Sequence, residues 1–567
     1  MPTNSETDLK VFLSYAREDL PVAEMLYADL QRAGVNVWMD VYDILPGQKW
    51  EDEIQRAMET ATHYLLLLSA KSVSKRGFVQ REVKKALVFA EEFPDSQICL
   101  IPVLLSRCQP SNLGLKKYQW VELFRSYELG LQQILRGLKP EFVSKIEVHA
   151  PRVNFRLASL ATAGWGVIFC QNVPAGLREA LAPLLDLRRE QATRRSDLYM
   201  EFIGPNGYRK DETALQFLGR VGIDLGFMDV KKVPFYLLII GPPSEIPFSF
   251  QFNLASSYAV GRLDFDEITH YAHYARSVVE FERSFPSGVR QQLVIFSPNH
   301  QGDPATERSY TRLSQPLAQA LKGEMPDWEI DLVDPQEAIK TRLVELHSRE
   351  HPGILCFAGH GVPFPFGDVL QALHQGALLC QDWLGTETRD KISSDHYMAV
   401  EDLQSTVDLE GFIGFYSSCY SAGTPETSDF FTYSSSRKTQ IAPMAFVSPL
   451  AKRMLGSVAK PALAVIGHID KLWSTSFVSL SRDESQLSCH VEMLKAIMQG
   501  YPVGFAMRRF HDRYTTLCSV LVENFWQREW LEDVYEFEFE RLNRVVVDAR
   551  NYVLIGDPAV RLGSPNS

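Results

Sequence analysis

The 567-residue chain has no run of about 18 apolar residues, so no membrane-spanning helix is expected. Its opening, MPTNSETDLK, is polar and acidic with no apolar core, so it does not read as a secretory signal, and a cytoplasmic location is the expectation. Basic residues are not in surplus: 58 Lys and Arg stand against 70 Asp and Glu, a net charge of −12. Neither nucleic acid nor an anionic membrane is therefore an expected partner, because both are bound through an excess of Lys and Arg. The eight cysteines (Cys99, Cys108, Cys170, Cys356, Cys380, Cys419, Cys489 and Cys518) form no CxxC pair and no Cys/His set with zinc spacing, so no metal is expected and a reducing compartment fits. A Walker A motif and the periodicities of leucine-rich or TPR sensors are also missing.

What is present is α/β alternation, twice over. In the first stretch, β-rich runs are expected at Lys10–Tyr15, Val35–Asp40, His63–Ser69 and Ile98–Leu105. Between them lie helical stretches: one that Pro21 opens and Gly34 ends, one from about Trp50 to Thr60, and one from about Phe78 to Glu91. His63–Ser69 is a continuous apolar run, as in parallel strands buried on both faces. This is a doubly wound parallel sheet, whose ligand site lies beyond the carboxyl ends of its strands.

The run VFLSYAREDLPVAEMLYADLQRAGVNVWMDVYDILPGQKWEDEI resembles the bacterial branch of the TIR family. The resemblance rests on Phe12-Leu13-Ser14-Tyr15, on Trp38-Met39-Asp40, on the connecting loop ending Leu45-Pro46-Gly47, and on the strand ending Leu68-Ser69. It implies a flavodoxin-like TIR domain over residues 1–145, with NAD as substrate rather than bound cofactor. In NAD-cleaving members a glutamate lies on the third helix with an aromatic one turn earlier, and the matching residues are Glu82 and Phe78. Standing four apart, they share one helix face. A carboxylate there can bond the ribose hydroxyls and stabilise the positive charge that develops as the nicotinamide–ribose bond breaks, and an aromatic face can stack on nicotinamide. Ser14, Tyr15 and Arg17 are candidates for phosphate or adenosine contacts. Ala16 stands where members often carry a basic residue, so only Arg17 is carried over. The product, ADP-ribose or a cyclised form, stays open.

After Lys139-Pro140 the pattern resets, and a second region is expected over residues 150–567. Apolar runs recur at Trp165–Phe169, Phe235–Ile240, Gln292–Phe296, Ile354–Phe357, Phe412–Tyr416, Ala462–Ile466 and Tyr552–Ile555, the last closed by Gly556-Asp557-Pro558. Helical stretches between them again imply a mainly parallel sheet. Two strand ends carry chemistry. Ile354–Phe357 runs into Ala358-Gly359-His360-Gly361, and Phe412–Tyr416 runs into Ser417-Ser418-Cys419, with the cysteine 59 residues after the histidine. On neighbouring parallel strands both side chains emerge at one edge, where His360 is the base for the Cys419 thiol. Gly359 and Gly361 leave backbone N–H groups as candidate oxyanion donors. Taken singly, such a His and Cys read as a core histidine and a buried thiol; their shared, glycine-flanked position at strand ends is what singles them out.

This order resembles the caspase-like clan of caspases, separase, gingipains and CHAT peptidases, and Phe357–Gly361 is close to the CHAT pattern. The resemblance implies a His360/Cys419 cysteine endopeptidase, with residues 150–285 as an amino-terminal part and 286–567 carrying the dyad. Cleavage after Arg or Lys calls for a pocket acid, for which Asp368, Asp429 and Asp470 are candidates. His468 either lines the cleft or satisfies a backbone carbonyl. Cys356 and Cys380 read as packing. TIR joined to such a protease is similar to bacterial antiphage and cell-suicide systems, and three readings follow. Both sites are live; or the TIR domain only assembles protomers and the protease is the sole enzyme; or the NADase kills and the second region is a regulatory binding module. Protein substrates and self-assembly through TIR domains are the implied partners.

Overall fold

A computed structural model describes residues 9–32, 34–44, 47–69, 87, 100–105, 115–123, 127–138, 155–223, 228–284, 290–348, 351–386, 391–430, 439–479, 483–528 and 536–563. The chain divides into two compact units, Met1–Val153 and Asn154–Ser567.

The first unit is built on β1 (Lys10–Ser14), β2 (Asn36–Trp38), β3 (His63–Leu68), β4 (Leu100–Leu104) and β5 (Val121–Glu122), in the order β2-β1-β3-β4-β5. All four pairings are parallel. This is the flavodoxin-like order, with a switch point between β1 and β3. The helix Leu20–Arg32 joins β1 to β2, and the amphipathic helix Trp50–Thr60 leads into β3. β3 is buried along its whole length, as a central strand covered on both faces must be. Leu13, Leu65, Leu67 and Val103 pack with Ala23, Leu26 and Leu30 in one core cluster, while Phe12, Tyr64 and Leu66 pack with Ile54 and Met58 in another.

The second unit carries a ten-stranded sheet. Its strands are β6 (Trp165–Phe169), β7 (Tyr199–Phe202), β8 (Tyr236–Ile240), β9 (Ala259–Leu263), β10 (Gln292–Phe296), β11 (Glu329–Leu332) and β12 (Ile354–Ala358). Beside β12 lies a small antiparallel sheet of β13 (Gly361–Val362), β14 (Ala377–Leu379) and β15 (Tyr397–Met398). The main sheet resumes with β16 (Ile413–Ser417). A two-stranded ribbon, β17 (Gly423–Thr424) with β18 (Phe446–Val447), precedes β19 (Ala464–His468) and β20 (Tyr552–Gly556). The order is β11-β10-β12-β16-β19-β20-β9-β8-β6-β7, parallel except for β19 with β20. The apolar runs of the sequence thus become β6, β8, β10, β12, β16, β19 and β20, and β7, β9 and β11 lie beyond them.

The two halves of this sheet meet at β20 and β9, and buried charge locks them together. Arg188 is fully buried and bonds the Asp557 carboxylate at 2.6 Å and Glu282 at 2.7 Å. The Trp165 indole donates to the other Asp557 oxygen at 2.9 Å. A buried guanidinium is tolerated only when fully paired. The Gly556-Asp557-Pro558 motif is therefore a joint between sheet halves. Among the described residues no helix is long and apolar enough to cross a membrane.

Candidate active site

β12 and β16 are neighbours in parallel register, with Ala358 opposite Ser417. Both chains leave the sheet at the same edge, so His360 and Cys419, each two residues on, reach one cleft. That cleft has a volume of about 420 Å³, and its lining includes Asp303, Arg308, His360, Cys419, Leu472 and Trp473.

Asp303 lies at the same edge, in the loop after β10, and was not among the sequence candidates. It is the N-cap of the short helix Pro304–Arg308: one carboxylate oxygen accepts the Ala305 amide at 3.1 Å, and the other accepts the Thr306 hydroxyl at 2.9 Å. That second oxygen lies 2.6 Å from His360 Nε2. Burial works to raise the Asp303 carboxyl, but the bonds from His360, Thr306 and Ala305 outweigh it and hold it down at about 2. An ionised carboxylate only accepts, so Nε2 carries the ring proton, and in the neutral ring Nδ1 is left with its lone pair. The signal in the sequence is a Gly-Asp-Pro helix start placed just after an apolar strand.

Cys419 is half-buried, and its sulfur accepts the Leu472 amide at 3.2 Å. Burial pushes the thiol up to about 11; the Leu472 and Gly361 amides pull it down, while the charges of Asp470 and Asp548 add to the rise. The next residue, Tyr420, has φ of +56°, a left-handed conformation that is uncommon outside glycine and Asn. The backbone of Gly361 lies directly against the Cys419 carbonyl: a Cβ built there comes within 1.9 Å of that oxygen. The two candidate oxyanion glycines part company. The Gly359 amide is spent on the Ser417 carbonyl at 3.4 Å, whereas Gly361 lies against the Cys419 backbone.

The cleft wall opposite is the loop after β19. Asp548, also missed in the sequence, holds it by accepting the Trp473 amide at 2.9 Å and the Ser476 hydroxyl at 2.5 Å. His468 is fully buried with its ring nitrogens facing the carbonyls of Asp470 at 2.9 Å and Asp548 at 3.1 Å, and it does not line the cleft. Nor do the three pocket-acid candidates. Asp368 is exposed and caps the Leu370 amide, Asp429 pairs with Arg550 at 2.7 Å, and Asp470 is buried against the Ser428 hydroxyl at 2.7 Å. Cys356 is fully buried within β12, where burial pushes its thiol up to about 12, and buried Cys380 is raised for the same reason.

In the first unit, Ser14, Tyr15 and Arg17 lie at the carboxyl end of β1, the edge where such sheets bind ligands. Ser14 is buried. The Tyr15 hydroxyl donates to Asp40 at 2.5 Å, and Arg17 pairs with the same carboxylate at 3.4 Å. Burial first, then Asp40, raises the Tyr15 phenol. Phe78 and Glu82 lie outside the described residues. Among the described residues no group of three or more His, Cys, Asp or Glu is placed to hold a metal ion.

Residues 11–135 match the family model of the TIR domain. The chain matches no curated protein. Among solved structures it is similar to the Arg-specific cysteine proteinase gingipain R, at 10% identity over 70% of this chain and 78% of that one, with a TM-score of 0.42. The complex of Porphyromonas gingivalis RgpB pro- and mature domains matches at 11% identity over 71% of this chain and 80% of that one, with a TM-score of 0.40. A metazoan TIR-STING receptor from C. gigas matches at 16% identity over 31% of this chain and 61% of that one, with a TM-score of 0.20.

Proposed function

We propose that the chain, whose residues 11–135 are a TIR domain, is a two-enzyme effector of bacterial-type immunity, with a caspase-like cysteine endopeptidase as its second enzyme. One observation carries the peptidase: Cys419 and His360 share a cleft, and Asp303 holds His360 through Nε2. In this reading a peptide entering the cleft places its scissile carbonyl against Sγ. His360 Nδ1 takes the thiol proton as sulfur attacks carbon, giving a tetrahedral intermediate and an imidazolium that the Asp303 carboxylate stabilises. The same proton passes to the leaving amine as the carbon–nitrogen bond breaks, and water then hydrolyses the thioester. The Gly361 amide is the candidate donor to the oxyanion. Hydrolysis of protein or peptide substrates by the purified full chain, lost in Cys419→Ala and His360→Ala, tests this reading; equal turnover in the variants contradicts it.

The TIR domain is proposed to cleave NAD through Glu82, with Phe78 against nicotinamide and with Ser14, Tyr15 and Arg17 near the dinucleotide. The family match and the Phe78/Glu82 spacing support this. One observation favours the alternative in which the TIR domain only assembles protomers: the Tyr15 hydroxyl is spent on Asp40. NAD consumption by the full chain, compared with Glu82→Ala, separates the two. Assembly through TIR domains and a cytoplasmic site of action belong to the same proposal.

A further inference from the structure

The loop Lys471–Phe477, which follows β19, touches the sulfur directly. Its Leu472 amide donates to Cys419 Sγ at 3.2 Å, and just before it the Asp470 carbonyl accepts the Tyr420 amide at 3.1 Å. Leu472, Trp473, Ser474 and Phe477 of this loop line the cleft. Its own regular structure is one short 3₁₀ turn, Ser474–Ser476, so its position is set from outside.

Two helices that pack side by side, Arg508–Arg528 and Glu536–Arg550, set it. Arg513, on the first, donates to the Thr475 carbonyl at 2.6 Å and to the Ser476 carbonyl at 3.0 Å. Asp548, on the second, accepts the Trp473 amide at 2.9 Å, the Ser476 hydroxyl at 2.5 Å and the Thr475 hydroxyl at 3.4 Å. A cation thus holds the loop by its acceptors and an anion holds it by its donors, so a slip in either direction breaks bonds. Asp548 is fully buried. Burial raises its carboxyl, and His468, Ser476, Trp473 and Arg513 pull the other way. One turn earlier on the second helix, the Arg544 guanidinium lies over the Trp473 ring, 4.5 Å from its centroid.

We infer that Arg513 and Asp548 are positioning residues for the nucleophile: between them they hold the Leu472 amide on the Cys419 sulfur. The inference rests on the cysteine-peptidase reading above only for what the sulfur attacks. A buried charge contributes little stability beyond that of an apolar residue of its size, and its worth here is to select one loop geometry. An N–H donated to the sulfur favours the thiolate over the thiol, so releasing the loop takes reactivity from Cys419.

The test is alkylation of the full chain by iodoacetamide at one fixed pH, with Cys419 and Cys518 read separately by peptide mass. Cys518 lies on the same helix as Arg513 and is, like Cys419, of intermediate exposure. Arg513→Ala is expected to slow Cys419 about tenfold or more, the worth of a hydrogen bond to a charged group, and to leave Cys518 unchanged. Arg513→Lys keeps the charge and a donor and should recover part of the loss. Asp548→Asn and Asp548→Ala both remove the charge that pushes the Cys419 thiol up, so they differ in the bonds alone. The alanine variant should be the slower of the two at Cys419, again by about tenfold. Wild-type rates at Cys419 in Arg513→Ala overturn the inference, and so does a change shared equally by Cys518, which marks a loosened helix. Where Arg513→Ala does not fold, Arg513→Lys decides: a fall at Cys419 alone supports the inference, and the wild-type rate overturns it. Slower alkylation of Cys419 in a chain whose wild type cuts no peptide supports the positioning pair and overturns the peptidase reading.

Discussion

His360 Nε2 lies 2.6 Å from a carboxylate oxygen of Asp303, a residue 57 positions earlier that also caps the helix it starts. One carboxylate thereby fixes both the helix and the ring, and the ring's tautomer follows from the bond. Asp303→Asn keeps the shape but offers the ring an amide that can bond the wrong tautomer. Its kcat on peptide substrates should fall by roughly 10²–10⁴-fold with KM little changed, as for the orienting carboxylate of a catalytic triad. Asp303→Glu should recover part of the loss. A kcat within twofold of wild type in Asp303→Asn would remove Asp303 from the account.

The Cys419 thiol, pushed up to about 11, sets a pH dependence. Only the thiolate is nucleophilic, and below the pKa its fraction rises about tenfold for each unit of pH. Alkylation of the resting protein at Cys419 by a small reagent such as iodoacetamide should therefore keep climbing from pH 7 to 10. A plateau near neutral pH would mean a resting thiolate–imidazolium pair instead.

Gly361 tests the geometry where it is tightest. Any side chain there meets the Cys419 carbonyl. Gly361→Ala must displace the cysteine loop, at a cost of about 1–3 kcal/mol for overpacking. Peptidase activity should fall at least about a hundredfold, since an ångström of misplacement at the reacting centre is enough for that. A variant that folds and turns over like wild type contradicts the close approach.

Far from the cleft, the Arg188–Asp557 contact should carry stability alone. Asp557→Ala leaves a buried guanidinium short of one partner and is expected to cost about 3–5 kcal/mol in urea unfolding. A loss below about 1 kcal/mol would show that water or Glu282 takes up the slack.

The sequence revealed strands wherever apolar residues run unbroken, as in Trp165–Phe169 and Gln292–Phe296, which the structure reproduces residue for residue. It hid those with polar or charged positions. β9 contains Arg262, fully buried yet bonded to the carbonyls of Gly241 and Ile246. β7, at the sheet edge, carries Glu201, which pairs with Arg178. Hydropathy scores such residues as surface, and only tertiary partners reverse that. The common sheet edge of His360 and Cys419 was legible because each directly follows an apolar strand. The Gly302-Asp303-Pro304 helix start marks a cap but does not point to His360, and Asp548, near a helix end, reads locally as an ordinary polar position. Their role exists only where distant segments meet.

The most direct test of the central claim is the rate at which a peptidyl electrophile modifies the full-length protein, followed by intact mass. Wild type is expected to gain one adduct, at Cys419, and His360→Ala to gain it at least about a hundredfold more slowly, the usual worth of a positioned general base. An adduct on another cysteine, or an equal rate without His360, would contradict the claim that these two residues form one catalytic pair.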